Sequence, residues 1–186
     1  RAAVQYQRAG FGEALVVGRE ADVKAKLEAS GLGDAVSELQ IVNAANTEHL
    51  AEYKAFLYKR LQRKGHDRHD VHRLAARDRH VFASLMLAHG HGDGLVTGAT
   101  RKSSHVLDLI NHVFDADAEH GAVGVTAVMH KGRVVLIADT LVHEWPDETD
   151  LANIAERSAG VARHLGLEPR GAFVSFSTFG YPRSER

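Results

Sequence analysis

Short apolar runs alternate with amphipathic stripes along this chain, and glycines close most of the stripes. This alternation constrains the fold more than any other feature. The runs EALVVG and ELQIVN have the length and apolar character of buried strands, and helical patterns flank each of them. The clearest helix is predicted from Thr47 to Lys64, with Thr47 as its N-cap and Gly65 as a left-handed stop. Strands that alternate with helices predict an α/β fold with a mostly parallel sheet.

The same criteria predict the remaining elements. Further helices are expected at about 68–77, 79–88, 103–114 and 149–165, and further strands at DGLVTG (93–98) and RGAFVSFS (170–177). AVGVTAVMH and RVVLIADT read as a hairpin with Lys131-Gly132 at its turn, which adds a mixed or antiparallel edge to the second part of the chain. The polar, non-periodic segment DADAEHG (115–121) predicts a boundary. Residues 1–116 are expected to form the N-terminal part of one α/β subdomain, and residues 117–186 the beginning of a second.

Composition excludes several classes of protein. The 186 residues carry a net charge of −1, so nothing in the total favours a nucleic-acid partner or a membrane surface. There is no cysteine, which excludes a disulfide scaffold and thiol chemistry and fits a cytoplasmic protein. No apolar stretch approaches the roughly 20 residues of a membrane-spanning helix. A chain that starts at an arginine and ends after a turn is expected to be a piece of a longer one.

The segment GLVTGATRKSS (94–104) is the leading candidate for a binding site. It joins a predicted strand to a predicted helix, and ligands bind at such strand ends in open α/β sheets. Free N–H groups at a helix start, hydroxyls and two cations suit a phosphate. The candidate ligand residues are Thr97, Gly98, Thr100, Arg101, Lys102, Ser103 and Ser104. The alternative is that a serine only caps the helix while the two cations stay solvated, and the spacing matches neither a P-loop nor a dinucleotide fingerprint.

Histidines recur every third residue at 66, 69 and 72 in a basic stretch. That spacing fits a metal site shared with Asp67 or Asp70, an anion-attracting surface, or a plain solvated face. Because nothing fixes a fourth ligand, we expect no metal site.

Two strand ends give weaker signals. Carboxylates between Asp139 and Asp147 suit acid–base chemistry, although Asp147 is equally suited to cap the next helix. Ser177 and Thr178 end the last predicted strand and are a further candidate for the ligand cleft.

Three blocks taken together resemble the phosphate acetyl/butyryltransferase family. They are DGLVTGATRKSS, VLIADTLVHEWPDETDLANIAERSAGVARHLGLEPR and AFVSFSTFG, in that order and spacing. The stretch FLYKRLQRKGHDRHDVHRLAARDRHVFASLML resembles the subgroup that forms the C-terminal domain of large bacterial NADP-dependent malic enzymes. The likeness covers essentially the whole chain. It implies two α/β subdomains with an acyl-CoA cleft between them, similar to the isocitrate/isopropylmalate dehydrogenase architecture and incomplete here.

The resemblance also implies a function. Domains of this subgroup bind acetyl-CoA or another acyl-CoA as an allosteric effector and support homo-oligomers, without transferase activity. Malate, NADP and Mg²⁺ or Mn²⁺ are expected to bind a separate malic enzyme half, so no cofactor is expected in this chain. The catalytic serine and aspartate of the family, with a neighbouring arginine, lie outside the matching residues, so no catalytic residue is assigned.

One position matched to the family bears on catalysis. The arginine that binds acyl phosphate in active members falls on Asp108, and a carboxylate there repels the phosphate that a cation attracts. The histidine of the family's loop falls on Arg101, which keeps a basic group beside the ligand. A regulatory acyl-CoA-binding domain is therefore the first interpretation. An active phosphate acetyltransferase and a purely structural assembly domain remain the alternatives.

Overall fold

The computed structural model describes residues 1–98, 100–114 and 121–174. The chain divides into two compact units, residues 1–115 and residues 116–186. The predicted boundary between residues 116 and 117 falls outside the described residues and stays a prediction.

The first unit combines helices with one small parallel sheet. Its elements are α1 (Ala2–Arg8), β1 (Leu15–Val17), α2 (Glu20–Ala29), β2 (Gln40–Val42), α3 (Leu50–Leu61), α4 (Arg68–Arg77), α5 (Arg79–Ala88) and α6 (Ser103–Asn111). Two short 3₁₀ helices add Gly33–Glu38 and Gln62–Lys64. Strands β1 and β2 run parallel, with Leu15 opposite Gln40 and Val17 opposite Val42. The predicted helices at 68–77 and 79–88 are confirmed at both ends.

The core of the first unit lies among α3, α4 and α5. Tyr53, Leu57 and Leu61 recur every fourth residue on α3 and are almost completely buried. They pack in one cluster with Val71 of α4 and Phe82 of α5. This cluster fixes α5, whose first turn carries residues of the candidate site.

Side-chain caps begin two of these helices, α4 and α5, whereas α3 begins without one. The N-cap of α3 is His49 and not Thr47, because the Thr47 hydroxyl accepts the His49 N–H in a local turn instead. Gly65 closes the following 3₁₀ turn with φ of +89°, which confirms the predicted left-handed stop. Asp67 and Asp78 cap α4 and α5 through their carboxylates.

The second unit is a hairpin with one long helix. Strands β3 (Val125–His130) and β4 (Arg133–Ala138) pair antiparallel, and α7 (Glu148–His164) packs against β4. Lys131 and Gly132 both have positive φ, as a two-residue type I′ turn requires, so the predicted hairpin is confirmed. Asp147 is the N-cap of α7 and forms a capping box with Asp150.

Two predicted strands are wrong in their described parts. Residues 94–98 and 171–174 form no strand, and Val96 is fully exposed. An extended segment becomes a strand only when a neighbour pairs with its backbone, and within the described residues β1 and β2 pair with each other alone. Residues 175–177 of the second segment lie outside the described ranges. The fold is therefore mixed α/β, with one parallel and one antiparallel pair of strands among the described residues. None of the helices described here combines the length and apolar character needed to span a bilayer.

Candidate functional site

The predicted ligand residues of the first unit lie in one tight loop that leads into α6. Gly98 has φ of +122°, a conformation that other residues rarely adopt, although no atom lies within 4 Å of where a Cβ would stand. The Thr100 N–H donates to the Gly98 carbonyl at 2.8 Å. The glycine is therefore needed for the conformation of the turn and not for space around it.

The start of α6 is open, contrary to the alternative in which a serine only caps it. Its N-cap is Lys102, which makes no side-chain capping bond, and Ser103 and Ser104 are the first two helical residues. All three are exposed. The unpaired N–H groups of a first helical turn attract anions because they carry the positive end of the helix dipole.

Arg101 points back toward the start of α5. Its Nη1 donates to His105 Nε2 at 3.0 Å, and since arginine has no acceptor, this bond requires His105 Nε2 to be unprotonated. The same Nη1 lies 3.8 Å from Asp78 Oδ2. The other oxygen of Asp78 accepts the N–H groups of His80 and Val81, at 2.8 and 3.2 Å. Asp78 therefore caps α5 and balances the charge of Arg101 at once.

Thr97 is exposed, but its hydroxyl is held by a buried side chain. His80 Nδ1 and Thr97 Oγ1 share a hydrogen bond of 2.6 Å, and His80 is only 3% exposed. Burial lowers the pKa of His80 below its usual value, Asp78 opposes that shift, and the nearby arginines and His105 reinforce it. His80 is thus a neutral imidazole at physiological pH. The regular spacing of His66, His69 and His72 gives no sign of this role for His80, because the contact joins residues 17 positions apart.

A wide cleft of about 2380 Å³ opens beside this loop within the first unit. Thr97 lines it, together with the whole of β1 and β2. His49, Tyr53 and His91 line another part: the two imidazole rings lie 4.2 Å apart, and the Tyr53 hydroxyl bonds His91 Nδ1 at 2.5 Å. Burial, with a smaller contribution from Glu52, raises the pKa of Tyr53. His91 lies 38 positions after Tyr53, so no local pattern predicts that it joins His49 and Tyr53.

The carboxylates predicted at the end of β4 are arranged for structure. The side chain of Asp139 is 2% exposed, and its oxygens accept four backbone N–H groups, from Gly124, Leu141, Val142 and His143. Its Oδ2 also lies 2.6 Å from His143 Nδ1. A carboxylate bonded this fully holds the loop in place and has little capacity left for acid–base chemistry.

Among the described residues, no ring contact joins His66, His69 and His72 to one another. Ligand atoms of Asp67, His69 and Asp70 lie within 4.8 Å of one another, but both carboxylates serve the capping box of α4. His66 stacks edge-on against His112. The predicted absence of a metal stays a prediction. Ser177 and Thr178, also predicted to line the ligand cleft, lie outside the described residues.

Comparison with known proteins decides the family. The model of the phosphate acetyl/butaryl transferase family matches residues 1–186. The chain belongs to this family. That confirms the resemblance of the three sequence blocks.

Relatives of the chain include malic enzymes and phosphate acetyltransferases. The chain is 43% identical to an NADP-dependent malic enzyme of Rhizobium meliloti and 34% identical to a probable NADP-dependent malic enzyme of Rickettsia prowazekii, over its whole length. It spans only 24% of the length of each. A phosphate acetyltransferase of Bacillus subtilis is 29% identical over 92% of this chain and 52% of its own length.

Solved structures of the family share the fold. A EutD phosphotransacetylase from Staphylococcus aureus superposes with a TM-score of 0.82 at 24% identity, over 99% of this chain and 55% of that one. This likeness confirms a mixed α/β fold of the phosphotransacetylase kind.

Proposed function

We propose that this chain is the regulatory, acyl-CoA-binding domain of an NADP-dependent malic enzyme. The observation that carries the proposal is the match of the entire chain to malic enzymes at 43% and 34% identity. In the proposed assembly the domain belongs to a cytoplasmic homo-oligomer with an isocitrate/isopropylmalate dehydrogenase-like two-subdomain architecture. Malate, NADP and a divalent metal bind a separate half of the polypeptide, where malate is oxidatively decarboxylated to pyruvate.

The loop from Thr97 to Ser104 is the proposed site for a phosphate of acetyl-CoA. The open first turn of α6 supports this, as do the cations at Arg101 and Lys102. Arg101 is already oriented by His105 and Asp78, so a ligand phosphate meets a guanidinium that needs little reordering. Regulation follows if acetyl-CoA binds one conformation of the assembly more tightly than the other.

A second candidate is an active phosphate acetyltransferase. The 29% identity to the Bacillus subtilis enzyme supports this candidate. Asp108 opposes it. This residue is exposed on α6, at the position matched to the arginine that binds acyl phosphate in active members. A carboxylate there repels the substrate whose charge the reaction must neutralise.

The test is malate-dependent NADPH formation by the natural full-length polypeptide that contains this chain, titrated with acetyl-CoA. Acetyl-CoA is expected to inhibit. Arg101→Ala is expected to raise the half-inhibitory concentration roughly tenfold or more, because it removes a charge-assisted contact worth about 1.5–3 kcal/mol. Arg63→Ala, a change at an exposed arginine of the 3₁₀ turn after α3, is the matched control and is expected to leave inhibition unchanged.

Other outcomes identify the alternatives. Malate activity that is indifferent to acetyl-CoA contradicts the regulatory proposal and leaves a structural assembly domain. Acetyl phosphate formed from acetyl-CoA and inorganic phosphate, without malate activity, indicates the transferase.

A further inference from the structure

Two buried polar side chains of α5 have no role in the function proposed so far. His80 is 3% exposed and Ser84 is 0% exposed. His80 Nε2 and Ser84 Oγ are both buried without a hydrogen-bond partner from the described residues. They stand four residues apart and therefore on the same face of the helix.

The other nitrogen of His80 reaches the candidate loop. Nδ1 lies 2.6 Å from the hydroxyl of Thr97, whose residue is exposed and lines the cleft. A neutral imidazole carries one N–H and one lone pair, so the two nitrogens must have opposite roles. The tautomer of His80 therefore decides whether Thr97 accepts or donates in this bond.

The two tautomers have different consequences for a ligand. If Nδ1 is the acceptor, the Thr97 O–H is used inside the protein, and only oxygen lone pairs face the cleft. Those lone pairs repel a phosphate oxygen. If Nδ1 carries the proton, it donates to Thr97 Oγ1, and the Thr97 O–H is free to donate to an anion.

The surroundings of His80 favour the second tautomer. With the proton on Nδ1, the unpartnered Nε2 is a buried acceptor; with the proton on Nε2 it is a buried N–H donor without a partner, which among backbone groups is the rarer case. Ser84 Oγ on the same face is likewise without a hydrogen-bond partner among the described residues, and as a hydroxyl it suits either tautomer. The imidazolium is disfavoured by burial and by Arg79, Arg101 and His105, with Asp78 alone among the named neighbours acting the other way.

We propose that His80 is a positioning residue that donates from Nδ1 to Thr97 Oγ1 and so leaves the Thr97 hydroxyl as a hydrogen-bond donor to a phosphate in the loop. The proposal rests on the function inferred above for its ligand. The tautomer of His80 is a property of the ligand-free protein and can be tested without the ligand.

The first test reads the tautomer without any ligand. The chain is labelled with ¹⁵N-histidine, His80 is assigned by its loss in His80→Gln, and the spectrum is recorded at a pH where the imidazole is neutral. The expected signature is a protonated, pyrrole-like Nδ1 and an unprotonated, pyridine-like Nε2. The reverse pattern overturns the proposal.

The second test measures acetyl-CoA binding to the chain by calorimetry. His80→Leu removes the donor that orients the Thr97 hydroxyl and is expected to weaken binding about fivefold, the effect of losing one neutral hydrogen bond. His80→Asn keeps an N–H near the position of Nδ1 and is expected to restore most of the affinity. In a Thr97→Val background the two variants are expected to bind equally, because the hydroxyl that His80 orients is gone.

The outcomes separate this inference from the proposed function. If acetyl-CoA does not bind the wild-type chain, the proposed function is wrong, and the tautomer still decides the role of His80. A second outcome is that acetyl-CoA binds and Arg101→Ala lowers the affinity, but His80→Leu and His80→Asn have the same affinity. That result supports the site and refutes the role of His80. The role of His80 is also refuted if His80→Leu lowers the affinity for acetyl-CoA equally in the wild-type and Thr97→Val backgrounds.

Discussion

Replacing Asp139 by asparagine is expected to destabilise the second unit in a pH-dependent way. Burial alone raises the pKa of this carboxyl, but the N–H groups of Val142 and Leu141 and the side chain of His143 outweigh burial and bring the pKa to about 2. The ordinary value is 3.8. The difference corresponds to about 2 kcal/mol of stability that the charged form provides.

The sign follows from the direction of the shift. Because the folded pKa is depressed, this stability is fully present above about pH 4 and is lost as the pH falls toward 2. Asp139→Asn removes the charge and sets an NH₂ group in place of one oxygen. If that group stands at Oδ2, it meets the His143 backbone N–H and ring nitrogen. At pH 7 we therefore expect a loss of about 2–4 kcal/mol.

Urea unfolding followed by tryptophan fluorescence measures this loss. The chain has one tryptophan, Trp145, and it lies in the second unit six residues after Asp139. The difference in unfolding free energy between wild type and Asp139→Asn is expected to shrink by about 2 kcal/mol between pH 5 and pH 2. Glu156→Gln, which neutralises an exposed carboxylate of α7, is the matched control and is expected to change little at any pH. A difference that stays constant across this range refutes the argument.

Two further substitutions test the packing and the caps. Leu57→Ala is expected to destabilise the first unit by about 2–5 kcal/mol in urea unfolding followed by circular dichroism, because Leu57 is completely buried in the cluster of α3, α4 and α5. Leu151→Ala at a 38% exposed position is expected to cost much less, and equal losses would contradict the assigned core. Asp147→Ala is expected to cost about 1 kcal/mol through loss of the α7 capping box, while Asp147→Asn retains most of the stability. A similar loss in both variants would show that the cap bond is unimportant.

Local patterns predicted the helices and the hairpin because those elements depend on nearby residues. The bounds of α4 and α5 follow from the caps at Asp67 and Asp78, and the hairpin follows from Lys131-Gly132. The strand predicted at 93–98 depends on a partner from elsewhere in the sequence. Its apolar pattern favours an extended backbone, but no strand among the described residues pairs with it.

The sequence predicts the loop of the candidate site but not the side chains that orient it. The pattern of hydroxyls, cations and glycine in TGATRKSS identified the loop, and the turn at Gly98 has the backbone conformation that a glycine suits. The side chains that orient the loop were not identified in that role. Nothing in the local sequence distinguishes Asp78 from other carboxylates, or His80 from the other histidines between residues 66 and 91. Their roles depend on the packing of α5, which a linear pattern does not contain.

The contact between Arg101 and Asp78 changes what the sequence suggests about the charge of the loop. Arg101 and Lys102 predict two free cations, but a carboxylate 3.8 Å from the guanidinium offsets much of one of them. A phosphate that binds there competes with Asp78 as the partner of Arg101, although the guanidinium has donors enough for both. The same carboxylate keeps its second oxygen on the cap of α5, so the exchange can occur without loss of the helix start. We expect a loop of this kind to favour an anionic ligand over a neutral one, because only an anion adds a charge-assisted contact to Arg101.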